Sequence, residues 1–238
     1  FMSVEFIVFF AILSFLTSLL TSIFSLGGGL IMLVALAQSF SPATLIPLHG
    51  SIQLANNFSR TLVYLEFFQW KLIKNIVIST MFGAVIGIYL FGTLPENLLV
   101  MVIAATILFL TWAPLDNLIL SVMKNDWFCG FISGFAGIFV GANGPLVTAY
   151  LRTKNLSPEL LVANHGAIMI FQHGIKIILF VSFFNFMILD YFSFILILAL
   201  TGYAGAILGR RLISKVPFKS FNIILKVFLT LLAFSLFF

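Results

Sequence analysis

The sequence predicts an all-α integral membrane protein built from two inverted repeats. Hydrophobic residues make up 62% of the 238-residue chain and charged residues only 8%, with a mean hydropathy of +1.21. These values lie far outside the range of soluble domains. The apolar stretches are long enough for several membrane helices of about 20 residues each, and they lack the alternating pattern of barrel strands. An internal repeat then divides the chain in two.

The two halves of the chain match at positions 116 residues apart. SPATLIPLHGSIQ from Ser41 aligns without a gap with SPELLVANHGAIM from Ser157. This match predicts a duplicated unit whose second copy repeats the order of elements in the first. We assign residues 1–116 to a first transmembrane repeat, 117–126 to a cytoplasmic linker and 127–238 to a second transmembrane repeat.

Each repeat contains a glycine-broken segment followed by three spans. Glycine in a helix interior costs about 1 kcal/mol relative to alanine and proline about 3, so clusters of these residues predict an interruption. A Ser-Pro pair opens the next span in each half, where proline suits the first helical turn. The spans are predicted at 41–68, 70–92 and 96–115 in the first half, and at 157–185, 190–209 and 217–238 in the second.

The basic residues favour one of two topologies. If each broken segment dips into the membrane and returns, six spans remain and the basic loop residues share one face, which the positive-inside rule makes cytoplasmic. The two halves are then inverted, as in many secondary transporters. Eight full crossings are the alternative, because the apolar run before Gly27 exceeds twenty residues and could span alone. The residues on that face are Lys71, Lys74, Lys124, Arg152, Lys154, Arg210, Arg211, Lys215 and Lys219.

The glycine breaks are candidate binding elements for an anion. Backbone that is not helical is tolerated inside a membrane only where it is buried in protein or lines a cavity. A break there exposes amide N–H groups and the positive end of a helix dipole, and both favour an anion. Close helix packing is the alternative, which we also expect at Gly83/Gly87, Gly130/Gly134, Gly137/Gly141 and Gly205/Gly209. The candidates are Gly27, Gly28, Gly29, Asn143, Gly144 and Pro145.

A polar stripe follows each Ser-Pro pair. The first-half residues recur at i, i+4, i+7 and i+11 and therefore share one helix face. Three of the four positions are polar in both halves, and one further polar residue flanks each stripe. The first stripe is His49, Gln53, Asn56 and Arg60, flanked by Asn57; the second is His165, Met169, Gln172 and Lys176, flanked by His173.

Arg60 and Lys176 are the most unusual members of these stripes. A cation near the middle of a membrane costs about 2.5–3.5 kcal/mol on insertion scales, and it usually faces the protein interior or a water-filled cavity. We expect these two residues to contact substrate or take part in gating, with snorkelling, or pairing to Glu66 or to a helix-end carbonyl, as the alternative. His49 and His165 fit either proton coupling and ligand contact or an interhelical hydrogen bond.

The acidic residues are absent from the centres of the predicted spans. All seven lie near span ends or in loops, and a cation pathway would need carboxylates inside, so the charge distribution favours an anionic substrate. The sequence has no His-Glu-x-x-His motif, no serine nucleophile elbow and no acidic metal cluster. We therefore predict no catalytic residue, no metal and no cofactor. The positions are Glu5, Glu66, Glu96, Asp116, Asp126, Glu159 and Asp190.

The motifs SLGGGL and GANGPL, the repeated Ser-Pro and HG helices, and EFFQWKL resemble the sulfite exporter TauE/SafE family of bacterial and archaeal membrane proteins. The resemblance covers nearly the whole chain. It implies a multi-pass transporter of the cytoplasmic (inner) membrane that moves sulfite, sulfoacetate or another small organosulfur or organic anion, generally in export. The family's glycine motifs fall on Gly27–Gly29 and on Gly141, Asn143, Gly144 and Pro145, where Asn143 replaces a glycine.

These observations predict a secondary transporter that exports sulfite or a small organosulfur anion by alternating access at the repeat interface. Backbone amides at the two breaks would hold the oxyanion, and Arg60 and Lys176 would supply charge. The expected coupling ion is a proton carried by His49, His165 or His173, with sodium as the alternative. Membrane lipid surrounds the chain, nucleic acid is not an expected partner, and the oligomeric state stays open. The rival functions are a passive anion channel, an intramembrane enzyme using His49 and His165, and a structural subunit.

Overall fold

The computed structural model describes residues 2–25, 27–113, 125–141, 143–213 and 230. Within those ranges the chain is α-helical with two short 3-10 turns, Leu65–Phe67 and Ile188–Tyr191, and it contains no strand. The predicted all-α membrane class is confirmed. The helices are α1 (Val4–Phe24), α2 (Gly28–Ala37), α3 (Pro42–Val63), α4 (Trp70–Phe91), α5 (Glu96–Trp112), α6 (Asp126–Val140), α7 (Gly144–Arg152), α8 (Pro158–Phe184) and α9 (Phe192–Leu212).

Four of the helical stretches are long and apolar enough to cross a membrane: α1, α4, α8, and α9 together with the turn before it. Helix α3 has 22 residues, but its polar stripe makes it too polar for this set. Helix α5 has 17 residues and is too short for it. The predicted span at 217–238 lies outside the described residues except for Thr230, and so does most of the predicted linker at 117–126. Lys124, Lys215 and Lys219 lie outside them as well.

Both predicted interruptions separate two helices. After α1, Ser25 adopts a left-handed conformation with φ of 61°, and Gly27 follows with φ of 92°. After α6, Gly141 has φ of 75°. Residues with side chains rarely adopt such angles, whereas glycine adopts them without a steric penalty. The chain therefore turns sharply at aligned positions in the two halves, since Ser25 and Gly141 are 116 residues apart.

Each broken segment folds back on itself as a helical hairpin. In the first half, the ring centroids of Phe6 in α1 and Phe40, which follows α2, are 6.2 Å apart. In the second half, the hydroxyl of Tyr150 near the end of α7 donates a hydrogen bond of 2.5 Å to Asp126 at the start of α6. A segment that crossed a membrane once would have its ends on opposite faces. These contacts therefore favour the returning segment over eight full crossings.

Helices of one half pack against helices of the other half. The extensive contacts join α1 to α9, α4 to α6 and α3 to α8. Glycines allow the close approach of the first two pairs. Between α1 and α9, a Cβ at Gly205 would lie 2.2 Å from the carbonyl oxygen of Phe15, and between α4 and α6, a Cβ at Gly83 would lie 2.0 Å from that of Phe131. The backbones are thus nearly in contact, as the sequence predicted for these glycines.

Basic residues gather at one end of the bundle. There, Arg210 at the end of α9 forms an ion pair with Glu66 after α3, and Lys154 after α7 forms one with Asp126 at the start of α6. The backbone N–H before α4 also donates to Asn164 in the first turns of α8. We call this end the basic face, and the positive-inside rule predicts that it is cytoplasmic. Its described lysines and arginines are Lys71, Lys74, Arg152, Lys154, Arg210 and Arg211.

Candidate functional site

A small cavity lies between the two breaks and the two polar helices. Its volume is about 30 Å³, and residues of α1, α2, α3, α7 and α8 line it. The structure thus brings residues of both halves to one place. The predicted residues that line it from the first half are Gly27, Gly29, His49, Gln53, Asn57 and Arg60. Those from the second half are Gly144, Pro145, His165 and His173.

Four further residues line the cavity that the sequence did not single out as site residues. They are Thr21, Ser25, Leu30 and Met169. The repeat alignment contained a signal for two of them, because Met169 aligns with Gln53 and Ser25 aligns with the glycine that ends α6. Thr21 and Leu30 lie next to the first break along the chain, but nothing in the local pattern marks them.

Gly28 and Asn56 do not line the cavity. A Cβ at Gly28 would lie 2.2 Å from the carbonyl oxygen of Thr17, so this glycine allows α2 to approach α1 closely. The Asn56 amide donates a hydrogen bond of 3.1 Å to the Ser14 hydroxyl of α1, and its oxygen lies against Gly202 of α9. Both residues hold the helices that surround the cavity.

Asn143 and Gln172 form a hydrogen-bond network at the second break. The Asn143 amide donates to the Gln172 side-chain oxygen at 2.5 Å and to the Ser133 carbonyl at 2.6 Å. The Gln172 amide donates to the hydroxyls of Thr80 and Ser133, at 3.0 and 2.8 Å. Asn143 therefore ties the break to α4, α6 and α8, and it does not line the cavity.

His49 and His165 make equivalent contacts in the two halves. The Nε2 atom of His49 lies 2.9 Å from the Gly29 carbonyl oxygen, and that of His165 lies 3.3 Å from the Gly144 carbonyl oxygen. A carbonyl can only accept, so each contact places a proton on Nε2. Each histidine therefore holds the first turn of the short helix in its own half, while its ring borders the cavity.

Arg60 places a guanidinium at the cavity, and no carboxylate of the described ranges pairs with it. Its residue is 2% exposed, so it does not snorkel to the interface, and Glu66 pairs with Arg210 instead. One of its terminal nitrogens donates to the side-chain oxygen of Asn57, and its Nε has no hydrogen-bond partner among the described residues. A guanidinium carries five N–H donors. Positive charge and an unused donor therefore remain at the cavity wall.

Lys176, which aligns with Arg60, is buried to the same degree but does not line the cavity. Its ammonium donates a hydrogen bond of 2.9 Å to the Gly141 carbonyl and lies 3.3 Å from Nδ1 of His173. The aligned carbonyl in the first half, that of Ser25, accepts instead from the Thr148 hydroxyl at 2.7 Å. Thr148 aligns with Met32, which has no hydroxyl to bind the Gly141 carbonyl. Lys176 binds that carbonyl instead, and the two cations therefore make different contacts.

The glycine after each histidine lies against the opposite polar helix. A Cβ at Gly50 would lie 3.3 Å from the Lys176 side chain, and a Cβ at Gly166 would lie 2.7 Å from the Thr61 hydroxyl and at an ordinary contact distance of 3.6 Å from Nε of Arg60. The repeated HG pair thus lets α3 and α8 pack closely where their buried cations lie. Sequence reasoning noted the repeat but did not identify this role.

The two breaks present different donors. Helix α2 begins after Gly27 with no side-chain cap, so the N–H groups of its first turn have no partner within the helix. Gly27, Gly29 and Leu30 of this turn line the cavity. Helix α7 begins with Gly144 and Pro145, and proline has no N–H to offer. The first break is therefore the better anion site, and Arg60 lies at the same cavity.

A wider cavity of about 230 Å³ opens at the basic face. Arg152 and Pro158 belong to its lining, and Ser25 lines both this cavity and the central one. Toward the opposite face, Pro42, which aligns with Pro158, is buried, and a separate apolar cavity of about 360 Å³ lies between α1 and α2 near Phe6 and Ser39. An aromatic cluster also lies toward that face, with ring centroids 5.0–6.2 Å from Phe91. The cluster consists of Phe91, Phe139, Phe180 and Phe184.

The chain was compared with known protein families and proteins. The family model described as Sulfite exporter TauE/SafE matches residues 10–236, which is nearly the whole chain. No curated protein and no solved structure matches it. The matched range includes both breaks, both polar helices and every residue that lines the central cavity.

Proposed function

Because the chain belongs to the sulfite exporter TauE/SafE family, a family of membrane transporters of sulfur anions, we propose that it is a secondary transporter for sulfite or a similar small sulfur oxyanion. The anion binds in the central cavity, between the N-terminus of α2 and the guanidinium of Arg60. The protein acts in the cytoplasmic membrane of a bacterium or archaeon, with the basic face toward the cytoplasm.

The observation that carries this proposal is Arg60, a buried residue of the cavity lining that has neither a partner for its Nε nor a carboxylate beside it in the part of the chain that the structure describes. Helix N-termini favour anions through their free N–H groups and the positive end of the helix dipole. Guanidinium groups suit oxyanions because their fixed donors match the geometry of two acceptor oxygens. An oxyanion in this cavity satisfies both sets of donors at once.

The size of the cavity favours the smallest anions of the family. About 30 Å³ is room for one or two water molecules. Sulfite consists only of sulfur and its oxygens, whereas sulfoacetate adds a carboxymethyl group that requires the helices to move apart. We therefore place sulfite ahead of sulfoacetate as the substrate.

The cavities around the site support alternating access over a passive channel. The cavity of about 230 Å³ at the basic face shares Ser25 with the central cavity, whereas the apolar cavity of about 360 Å³ toward the opposite face shares no lining residue with it. Rocking one half against the other, across the contact between α3 and α8, would connect the site to the opposite face and close it toward the basic face. With the basic face in the cytoplasm, this conformation would load substrate from the cytoplasm, as an exporter requires.

Tracer counterflow in proteoliposomes tests the proposal. We expect radiolabelled sulfite to enter saturably, and faster when unlabelled sulfite is trapped inside, because a carrier exchanges one anion for another. Sulfate, thiosulfate, sulfoacetate and a set of carboxylates serve as competitors, and liposomes without protein are the control. Flux that rises linearly with concentration and gains nothing from trapped anion would indicate a channel. Lack of flux for every anion would refute the proposed substrate class.

A further inference from the structure

The two aligned cations of the polar stripes have different chemistry. Arg60 keeps its charge at any physiological pH, whereas a lysine is able to lose a proton. Lys176 is also away from the cavity wall, with its ammonium bound to the Gly141 carbonyl and next to His173. One cation is therefore a fixed charge that faces the anion site, and the other is a titratable charge behind it.

His173 connects Lys176 to the cavity. Its Nδ1 lies 3.3 Å from the lysine nitrogen, its ring belongs to the cavity lining, and the ring centroids of His173 and His49 are 6.1 Å apart. With the lysine protonated, Nδ1 accepts from the ammonium and Nε2 carries the histidine proton. A proton released by Lys176 therefore has a direct acceptor that borders the cavity.

The charged and titratable groups around Lys176 are few. His165 and His173 lie on its own helix, and His49 and Arg60 lie on α3. The described contacts of α4, α6 and α7 with this region come from Thr80, Ser133, Gly141 and Gly144, which do not titrate near neutral pH. Both ion pairs of the described residues are at the basic face. Among the residues that the structure describes, the ammonium thus has no carboxylate to balance its charge.

We propose that Lys176 and His173 form a proton-binding site that couples anion transport to proton movement. This inference rests on the proposed function. In the release step, the Lys176 ammonium gives a proton to the lone pair of His173 Nδ1, while the proton on His173 Nε2 passes to water in the cavity. The products are a neutral lysine amine, a neutral histidine protonated on Nδ1, and a hydronium ion. Reprotonation follows the reverse path.

The direction of coupling follows from charge. Without an anion, the described part of the interior holds two buried cations, Arg60 and Lys176, and no buried carboxylate, which favours the neutral amine of Lys176. With an anion at Arg60, the ammonium gains a nearby negative charge. Anion binding therefore strengthens proton binding, and the effect is reciprocal. The anion and the proton then cross together in the same direction, so their combined gradients decide the direction of net flux.

The test measures protons moved per anion in proteoliposomes that contain a trapped pH-sensitive dye. Radiolabelled thiosulfate is the probe, because it does not titrate near neutral pH and leaves the dye signal to the protein. We expect a fixed ratio in the parent protein and a fall of at least about tenfold in Lys176→Met and Lys176→Arg, neither of which can release that proton. Lys154→Arg at the basic face is the matched control and should keep the parent ratio.

A parent ratio that persists in Lys176→Met or Lys176→Arg would overturn the coupling site. Where a variant carries no flux, thiosulfate binding is measured instead, as the increase in melting temperature that thiosulfate causes at a series of pH values. In the parent protein this stabilisation should become smaller as the pH increases, and in Lys176→Arg it should decrease less. An equal dependence of the stabilisation on pH in the two proteins would refute the inference. Thiosulfate exchange without proton movement in the parent refutes the coupling alone, whereas absence of anion exchange refutes the proposed function as well.

Discussion

Replacing Arg60 by methionine is expected to raise the half-saturating concentration of sulfite roughly 10- to 100-fold. A hydrogen bond to a charged group contributes about 1.5–3 kcal/mol, and every 1.4 kcal/mol changes affinity about tenfold. Methionine keeps an unbranched apolar stem while removing the guanidinium that lines the cavity. The concentration dependence of sulfite counterflow in proteoliposomes measures the effect, after thermal unfolding has shown that the variant folds.

Two further variants separate the role of this charge from general effects. Arg211→Met makes the same chemical change at an exposed residue of the basic face, so its half-saturating concentration should match that of the parent protein. Arg60→Lys keeps the charge but loses the paired donors, and it should fall between the parent and Arg60→Met. If Arg60→Met bound sulfite as tightly as the parent, the anion would have to bind elsewhere.

The positions of the helices follow from local sequence. Proline fixes a backbone angle that suits a first helical turn, and both α3 and α8 begin at the proline of a Ser-Pro pair. Glycine clusters interrupt helices because glycine alone adopts positive φ freely, and the breaks fall at or beside those clusters. The hairpins of the broken segments, by contrast, depend on contacts such as that of Asp126 with Tyr150, which join residues with no recognisable relation in the sequence.

The side of the helix that faces the cavity was predicted less completely. At about 100° per residue, Asn56 is turned by about 20° to one side of His49 on α3, and Asn57 by about 80° to the other. The cavity lies on the side of Asn57, and α1 and α9 receive Asn56. Helical periodicity defines a polar face, but it cannot say which neighbouring helix lies along each edge.

The alignment also assigned one role to Arg60 and Lys176, and the structure separates them. The difference comes from the residue that satisfies the carbonyl at each break: Thr148 in the first case and Lys176 itself in the second. A repeat alignment compares each position with its partner and carries no information on which side chain binds each of these carbonyls. The carbonyl of Ser25 is bound across the halves by Thr148, whereas that of Gly141 is bound by Lys176 of its own half.

Substituting alanine for Gly83 is expected to lower the stability of the bundle more than any comparable change outside the site. The new Cβ would lie 2.0 Å from the Phe131 carbonyl oxygen and 2.9 Å from the Phe135 nitrogen. Neither is a side-chain atom that could rotate away, so α4 and α6 must separate. Overpacking in a well-packed interior costs about 1–3 kcal/mol and occasionally more. Thermal unfolding of the purified protein in detergent should show a clearly lower melting temperature.

Gly174 provides the matched control, because no described residue packs against it. Among the described residues, no atom of a packing neighbour lies within 4 Å of a Cβ built at this position in α8, and alanine favours a helix interior by about 1 kcal/mol relative to glycine. Gly174→Ala should therefore leave the melting temperature unchanged or raise it, the opposite sign to Gly83→Ala. Equal losses in the two variants would mean that the close approach of α4 and α6 does not explain the loss of stability in Gly83→Ala. A loss confined to Gly83→Ala would show that backbone contact between the two halves stabilises the bundle around the cavity.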